Sequence, residues 1–101
     1  MEQFDNKQPS EEYYLAFDFS KDLNGEGVAA AEFTIVDVDT GEDVTDAMMT
    51  PEYQVNDGDI AYLWIVGGED GHKYKITCRV TGAGAPQSRY ELEATLKVKE
   101  L

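Results

Sequence analysis

The acidic stretch at residues 37–46 comes nearest to a metal-binding motif in this chain. Its alternating aspartates resemble a calcium loop of the EF-hand type, which surrounds the ion with oxygen ligands. However, glycine stands at the fifth position instead of the sixth, and Met48 occupies the twelfth position, where such a loop needs glutamate. The pattern favours a solvated turn whose aspartates accept hydrogen bonds from nearby backbone groups, so we expect no metal site.

The other reactive side chains form no catalytic pattern. Cys78 is the single cysteine, and it lies on the apolar half of an alternating run, so we expect a buried, inert thiol. His72 has no second histidine or cysteine close to it in sequence, although residues distant in sequence could still join it. Ser10, Ser20 and Ser88 stand in no nucleophile motif. The sequence predicts no catalytic residue, no cofactor and no enzyme.

Aromatic side chains are numerous enough to suggest recognition. Six tyrosines, four phenylalanines and one tryptophan exceed what one thin β-sandwich core must bury. Such rings can stack on sugars or anchor a protein interface. The alternative, which we favour for most of them, is that they form core and cross-strand pairs.

Charge is distributed unevenly along the chain, whose net charge is −13. Residues 1–70 carry 18 acids and two lysines, while residues 71–101 carry six basic residues and three acids. A surface this acidic repels phosphates, so we expect neither nucleic acid nor membrane as a partner. The acids favour a soluble monomer before assembly. The second interpretation is head-to-tail docking of the acidic part on the basic part, which makes a homo-oligomer.

The length of 101 residues predicts a single domain. Residues 1–12 are polar and lack periodicity, so we expect a flexible arm followed by one domain at 13–101. The arm lacks the basic start and apolar segment of a signal peptide. A lone cysteine cannot form an internal disulfide, which suits a reducing cytosol or an assembly built there.

Strict alternation of apolar and polar residues marks three strands. Their predicted inward sets are Tyr13, Leu15, Phe17 and Phe19; Tyr74, Ile76, Cys78 and Val80; and Tyr90, Leu92, Ala94, Leu96 and Val98. The residues predicted to face solvent on the last two strands include Lys73, Lys75, Thr77, Arg79, Lys97 and Lys99.

Other segments are weaker or ambiguous. Residues 28–38 predict a strand of about eight residues despite an alanine-rich start, because β-branched and aromatic residues follow. Residues 43–45 and 53–55 are short strand candidates, and residues 46–49 suit either one helical turn or an edge segment. Residues 59–80 predict a central hairpin around Gly67-Gly68-Glu69-Asp70-Gly71.

The run at residues 60–66 is apolar on both sides, which is typical of a strand buried on both faces or of one that sits on a partner. With five good strands and one or two weak ones, the chain predicts an all-β fold. We expect an immunoglobulin-like (fibronectin-type-III-like) antiparallel β-sandwich of about seven strands.

Two groups of residues resemble a known family. Asp70, Tyr74 and Cys78, with Trp64 on the preceding strand, are similar to a loosened immunoglobulin or fibronectin pattern. The order FDFS, then GE, then YLWIVGGEDGHKYKITCRVT, then a last alternating strand resembles the short fibre–tail adaptor proteins of tailed phages and prophages. The similarity covers roughly residues 13–99, and the acidic insert at residues 41–56 departs from the family pattern.

This resemblance implies a structural adaptor of a phage or prophage particle that binds tail or fibre subunits through strand edges and apolar faces. It implies no site residues. From the residues themselves, the candidate interaction surface comprises Tyr62, Trp64, Lys73, Lys75, Arg79, Lys97 and Lys99. The alternative function is an immunoglobulin-like module that binds carbohydrate or a cell surface.

Overall fold

Two β-sheets packed face to face make up the protein in the computed structural model, which describes residues 2–101. Six strands pair antiparallel with their neighbours, and a two-residue strand pairs parallel. The elements in chain order are β1 (Glu2–Gln3), β2 (Tyr13–Asp18), α1 (Ser20–Leu23), β3 (Val28–Asp37), α2 (Thr45–Met48), a 3-10 helix (Pro51–Tyr53), β4 (Val55–Asp57), β5 (Ile60–Ile65), β6 (Lys73–Gly82) and β7 (Arg89–Lys97). No helix in the described part of the chain is long and apolar enough to cross a membrane.

The strand order confirms the predicted all-β sandwich, with six strands in place of the seven expected if the two-residue β1 is left out. One sheet has the order β1-β7-β6-β3 and the other β2-β5-β4. In an immunoglobulin sandwich, strands B, E and D form one sheet and C, F and G the other. Here β2, β5 and β4 take the first three places, and β3, β6 and β7 take the second three. The protein is therefore an immunoglobulin-like β-sandwich.

The core lies between the two sheets and is almost entirely apolar. Its buried members are Leu15, Phe17, Phe19, Leu23, Phe33, Ile35, Met48, Ala61, Leu63, Ile65, Tyr74, Ile76, Cys78, Val80, Ala94, Leu96 and Val98. The predicted inward sets on β2, β6 and β7 are confirmed, with Tyr13, Tyr90 and Leu92 only half-buried at the margin. Thr77, expected to face solvent, is buried because Thr34 and Glu93 flank it on the neighbouring strands.

The predicted central hairpin is wrong. β5 pairs with β2 and β4, whereas β6 pairs with β3 and β7, so the two strands lie in different sheets. The glycine-rich segment between them crosses from one sheet to the other. Gly68 has φ +98°, and a Cβ there would lie 2.7 Å from the Val98 side chain, so only glycine fits this crossing without displacement.

Residues 38–57 differ from the prediction in detail. Asp43 forms an isolated bridge with Val36 instead of a strand, and residues 45–48 form the single helical turn that was one of two expectations. The strand expected at residues 53–55 begins only at Val55, because Pro51 starts a 3-10 turn that includes Tyr53. The alanine-rich start of β3 is strand, as predicted.

The N-terminal segment lies along β7. Glu2 and Gln3 pair with β7 in parallel, and Lys7 forms a further bridge with Val98. The Lys7 side chain is fully buried, and its Nζ donates to the carbonyl oxygens of Gln8 (2.9 Å), Pro9 (3.3 Å) and Gly67 (2.6 Å). Burial lowers the pKa of this ammonium group against the opposing effect of Glu11 and Glu12. The flexibility predicted for residues 1–12 concerns the motion of this segment and stays a prediction.

Candidate interaction surfaces on the two sheets

An aromatic patch covers the outer face of the sheet β2-β5-β4. We define it as Tyr14, Tyr53, Tyr62 and Trp64. Tyr14 contacts both Trp64 (ring centroids 4.8 Å apart, interplanar angle 75°) and Tyr62 (6.0 Å, 74°). Tyr53 contacts Trp64 from the other side at 5.7 Å and 82°. The patch is open to solvent, since Tyr14 is 44% exposed and Tyr53 54%.

Strand β5 has one face in the core and one in this patch. Ala61, Leu63 and Ile65 are fully buried between the sheets. Tyr62 and Trp64 alternate with them and are half-buried on the outer face, together with Ile60. The run at residues 60–66 is therefore apolar on both sides because one side faces the core and the other lies in the partly exposed aromatic patch.

Acidic side chains border the aromatic patch. Asp18 on β2 and Asp57 on β4 stand opposite Ile60 in the strand register, on the same outer face. Both are exposed, as is Glu52 beside Tyr53. We call Asp18, Glu52 and Asp57 the acidic rim. An apolar centre with a charged border is the usual composition of a protein interface.

A basic face lies on the opposite side of the molecule, on the outer surface of β6 and β7. We define it as Lys73, Lys75, Arg79, Arg89 and Lys97. Lys73 stands directly opposite Lys97 in the register, and neither has an ion-pair partner among the described residues. Lys99 follows the end of β7, where its backbone N–H donates to the Lys7 carbonyl.

Acids neutralise the centre of the basic face. Arg79 Nε lies 2.7 Å from Glu91 Oε1, and its Nη1 lies 3.7 Å from Glu32 Oε1. Lys75 Nζ lies 3.6 Å from Glu93 Oε2. These pairs are exposed and contribute little stability each. The excess positive charge is therefore at the two ends, around the Lys73–Lys97 pair and around Arg89.

A shallow groove of about 490 Å³ lies at the Arg89 end. Arg79 and Arg89 line it together with Ala30, Thr81 and Tyr90. Arg89 was missed by the sequence prediction, although it occupies the same outward half of the β7 alternation as Lys97. Tyr14 was also left out of the predicted surface, although it lies on the outward half of the β2 alternation with Ala16 and Asp18. Tyr53 was left out because its segment was predicted only as a short strand, with no face assigned.

The structure therefore divides the predicted surface residues into two groups. Tyr62 and Trp64 lie on one outer face, and Lys73, Lys75, Arg79 and Lys97 lie on the other. The two groups cannot form a single contact surface. Their use in binding stays a prediction at this point.

A third cluster joins the acidic turn to the only histidine. His72 Nδ1 lies 2.7 Å from Asp37 Oδ2, and the ligand atoms of Asp37, Asp39 and His72 all lie within 4.8 Å of one another. Asp37 Oδ1 accepts from the N–H groups of Asp39 (2.9 Å) and Thr40 (3.3 Å), and Asp39 Oδ2 accepts from the Lys73 N–H. These bonds agree with the interpretation as a turn, and the expectation of no metal stays a prediction.

The same contacts shift two pKa values. The hydrogen bond with Asp37 raises the pKa of His72 above its usual value, despite the opposing effect of burial. Burial alone would raise the pKa of Asp37, but the hydrogen bonds from His72, Asp39 and Thr40 lower it overall. Cys78 behaves as predicted for a core thiol: it is buried, and burial raises its pKa to about 12.

The opposite end of the sandwich is braced by two carboxylates. Asp59 accepts from the N–H groups of Gly25 (2.7 Å) and Gly27 (2.8 Å), and Glu26 Oε1 accepts from the Gly84 N–H at 2.6 Å. These contacts tie the β2–β3 loop to the β4–β5 turn and to the β6–β7 loop. Glu26 belongs to the GE pair on which the family resemblance rests.

The strand order and the two outer faces place the chain among immunoglobulin-like β-sandwich proteins. A family model described as podophage GP4 fiber-tail adaptor protein gp77 matches residues 7–99, which is nearly the whole chain. The chain belongs to this family of phage fibre–tail adaptor proteins, as the sequence resemblance predicted. No curated protein and no solved structure matches it.

Proposed function

We propose that this protein is a non-enzymatic adaptor that binds two neighbouring virion subunits at once, one on each outer face. The aromatic patch contacts one subunit of the tail or fibre, and the basic face contacts the other. One observation carries the proposal: the two surfaces lie on opposite sides of a single sandwich and differ in chemistry. An adaptor needs two such separate surfaces.

The aromatic patch has the properties of a protein-binding site. Tryptophan and tyrosine are enriched among the residues that dominate binding energy, because they bury a large area and lose little conformational freedom. In the free protein, Trp64 already packs between Tyr14 and Tyr53. Part of the ordering cost of binding is therefore met before the partner arrives.

The basic face supplies the second surface. Lys73 and Lys97 stand directly opposite each other, and neither forms an ion pair among the described residues. An acidic partner would relieve this repulsion and speed association through electrostatic attraction. The chain's net charge of −13 makes such a local positive area distinct from the rest of the surface, and it argues against nucleic acid or an anionic membrane as the partner.

Membership of the family supports a location in the virion. We infer that the protein works in the virion and is made in the bacterial cytoplasm before assembly. Because the acidic rim and the basic face occur on the same molecule, copies can also stack head to tail. Light scattering at low and high salt tests this: salt-sensitive oligomers support stacking, and a monomer at every salt concentration removes it from the proposal.

The test is a binding experiment with the purified tail and fibre subunits of the same phage. Trp64→Ala should weaken binding of one subunit by more than tenfold, and the double variant Lys73→Glu, Lys97→Glu should weaken binding of the other by a similar factor. Leu101→Ala and Glu42→Lys, at exposed positions outside both surfaces, are the controls for truncation of a side chain and for reversal of charge. Unchanged binding in both test variants would refute the proposal.

A carbohydrate- or surface-binding module is the second candidate, and the exposed rings of Tyr14 and Tyr53 favour it. Aromatic faces stack on the apolar faces of sugar rings. A glycan array separates the two functions. Saturable glycan binding that disappears in Trp64→Ala, without binding of virion subunits, would replace the adaptor by this alternative.

A further inference from the structure

The two sheets have four outer edges, and the described residues cover them unequally. The β3 edge is covered by residues 42–45 and by Gln54, since Val44 N–H donates to the Ile35 carbonyl and Gln54 Nε2 to the Ala31 carbonyl. β4 has only three residues and β1 only two. The edge of β2 has six residues and no bulge in its register.

Backbone groups of β2 point away from the sheet at alternate positions. The Phe19 N–H donates to the Asp59 carbonyl, which continues the register of β2 with β5. In an antiparallel pair, the N–H and C=O groups of successive residues point to opposite sides of the strand, so the odd-numbered residues of β2 form hydrogen bonds with β5. On the side of β5 away from β2, the Thr50 N–H donates to the Trp64 carbonyl and the Val66 N–H donates to the Met48 carbonyl. These two hydrogen bonds agree with the assignment. The N–H and C=O groups of Tyr14, Ala16 and Asp18 therefore face outward.

The side chains at this edge leave it accessible. Tyr14, Ala16 and Asp18 are all exposed, and neither proline nor lysine interrupts the strand. Natural edge strands usually carry proline or lysine, or have a bulge or a covering loop, which prevents pairing with other chains. Tyr14 also belongs to the aromatic patch. The free edge is thus continuous with the surface that the proposed function already uses.

The charge around the edge determines what kind of strand fits. Glu11, Glu12, Asp18 and Asp22 are exposed along or beside β2, and Lys21 is the one exposed base beside them among the described residues. Pairing of β2 with β2 of a second copy would place these acids next to their counterparts, which is unfavourable. An extended segment with lysine or arginine at alternate positions would meet the acids with opposite charge.

We propose that the free edge of β2 accepts an extended, basic segment of a neighbouring virion subunit as an added strand. The new strand bonds to the backbone groups of Tyr14, Ala16 and Asp18, and its basic side chains lie beside Asp18 and the residues before Tyr13. Main-chain bonds supply affinity, and the side chains supply specificity. This inference rests on the proposed function and specifies how one of its two partners binds.

The probe is a capped seven-residue peptide that alternates valine and lysine. Titrated into isotope-labelled protein, it should shift the backbone amide signals of Tyr14, Ala16 and Asp18 more than those of the basic face. A peptide with glutamate in place of lysine should bind at least about tenfold more weakly, because its charge repels the edge. Shifts confined to other strands, or equal binding of both peptides, would overturn the inference.

Peptides that are methylated on backbone nitrogens test for the backbone hydrogen bonds between peptide and β2, and they leave the protein itself unchanged. Alternate amides of an added strand face the same edge, so methylating one alternate set removes its donors to β2, and methylating the other set removes none. One peptide should therefore lose binding and the other retain it. If both methylated peptides bind like the parent, no strand is added.

A protein variant provides the matching test. Ala16→Pro removes one outward N–H without breaking a bond to β5, and it should abolish peptide binding. Ala16→Thr keeps the amide and should bind as the wild type does. Circular dichroism checks that both fold. If the peptide does not bind the wild-type protein while Trp64→Ala still disrupts subunit binding, the added strand is refuted and the adaptor function stands.

Discussion

Tyr14 and Trp64 stand directly opposite each other on β2 and β5, and their rings meet edge to face with centroids 4.8 Å apart. The pair lies on the outer face of its sheet, while the core begins on the other face of the same strands. An aromatic pair of this geometry contributes more than its buried area alone. Here it also organises the surface that we assign to a partner.

Lys7 should contribute to stability although it lies in a polar N-terminal segment. Replacing it in Lys7→Met leaves three carbonyl oxygens, including that of Gly67, without their buried donor. We expect a loss of about 1–3 kcal/mol in the free energy of unfolding, measured by urea denaturation. Lys21→Met, at an exposed position, should change it by less than about 0.5 kcal/mol. Equal effects would show that the buried contacts are unimportant.

Tyr74 should fix the crossing between the sheets. Its hydroxyl oxygen accepts from the Glu69 N–H at 2.8 Å, five residues upstream, in the manner of the tyrosine corner of immunoglobulin domains. Tyr74→Phe keeps the ring and should lower the free energy of unfolding by about 0.5–1.5 kcal/mol. Tyr90→Phe is the control, since its hydroxyl makes no hydrogen bond in the described structure. A loss no greater than in the control would contradict this role.

Stability should depend on pH through His72. Its pKa is raised in the fold, so protonation favours the folded state. This stabilisation is complete below the unfolded pKa, about 6.5, and is lost as the pH rises through the folded pKa. Asp37 has a lowered pKa, so it remains ionised throughout this range.

The measurement is urea unfolding at pH 5.5 and pH 8.5. Wild type should lose more stability between these values than His72→Gln, and Asp37→Asn should resemble His72→Gln because it removes the same partner. The comparison is direct because His72 is the only histidine. An identical pH dependence in all three proteins would show that the contact does not couple to folding.

Cys78 should be unreactive until the protein unfolds. Its thiol is buried with a pKa of about 12, so almost no thiolate exists at pH 8.5. Alkylation by iodoacetamide at that pH should be at least about 100-fold slower than in concentrated urea. Mass spectrometry gives the rates. Comparable rates in the two conditions would mean that the thiol is accessible in the native state.

The alternation of apolar and polar residues predicted the strands that have one solvent-exposed face. On β2, β6 and β7, apolar and polar residues separate cleanly, so the inward sets could be assigned from the sequence. On β5, both sides are apolar, and the choice between core and outer surface depends on which sheet the strand joins. That choice is made by pairing with β2, which precedes β5 in the chain by more than 40 residues.

The wrong hairpin has a similar cause. The segment at residues 67–71 has turn composition, and turn residues suit a tight hairpin and a crossing between sheets equally well. Lys7 and the contact of Asp37 with His72 were not predictable either. A lysine in a polar stretch normally stays in water, and the two members of the His72 contact are 35 residues apart. Only the folded chain brings these groups together.

We expect one copy of this protein to hold two virion subunits at the same time. Analytical ultracentrifugation of the chain with the tail and fibre subunits of its phage tests this directly. We expect a single complex containing all three proteins, which loses one subunit in Trp64→Ala and the other in the Lys73→Glu, Lys97→Glu double variant. Subunits that displace each other from a shared site would contradict it.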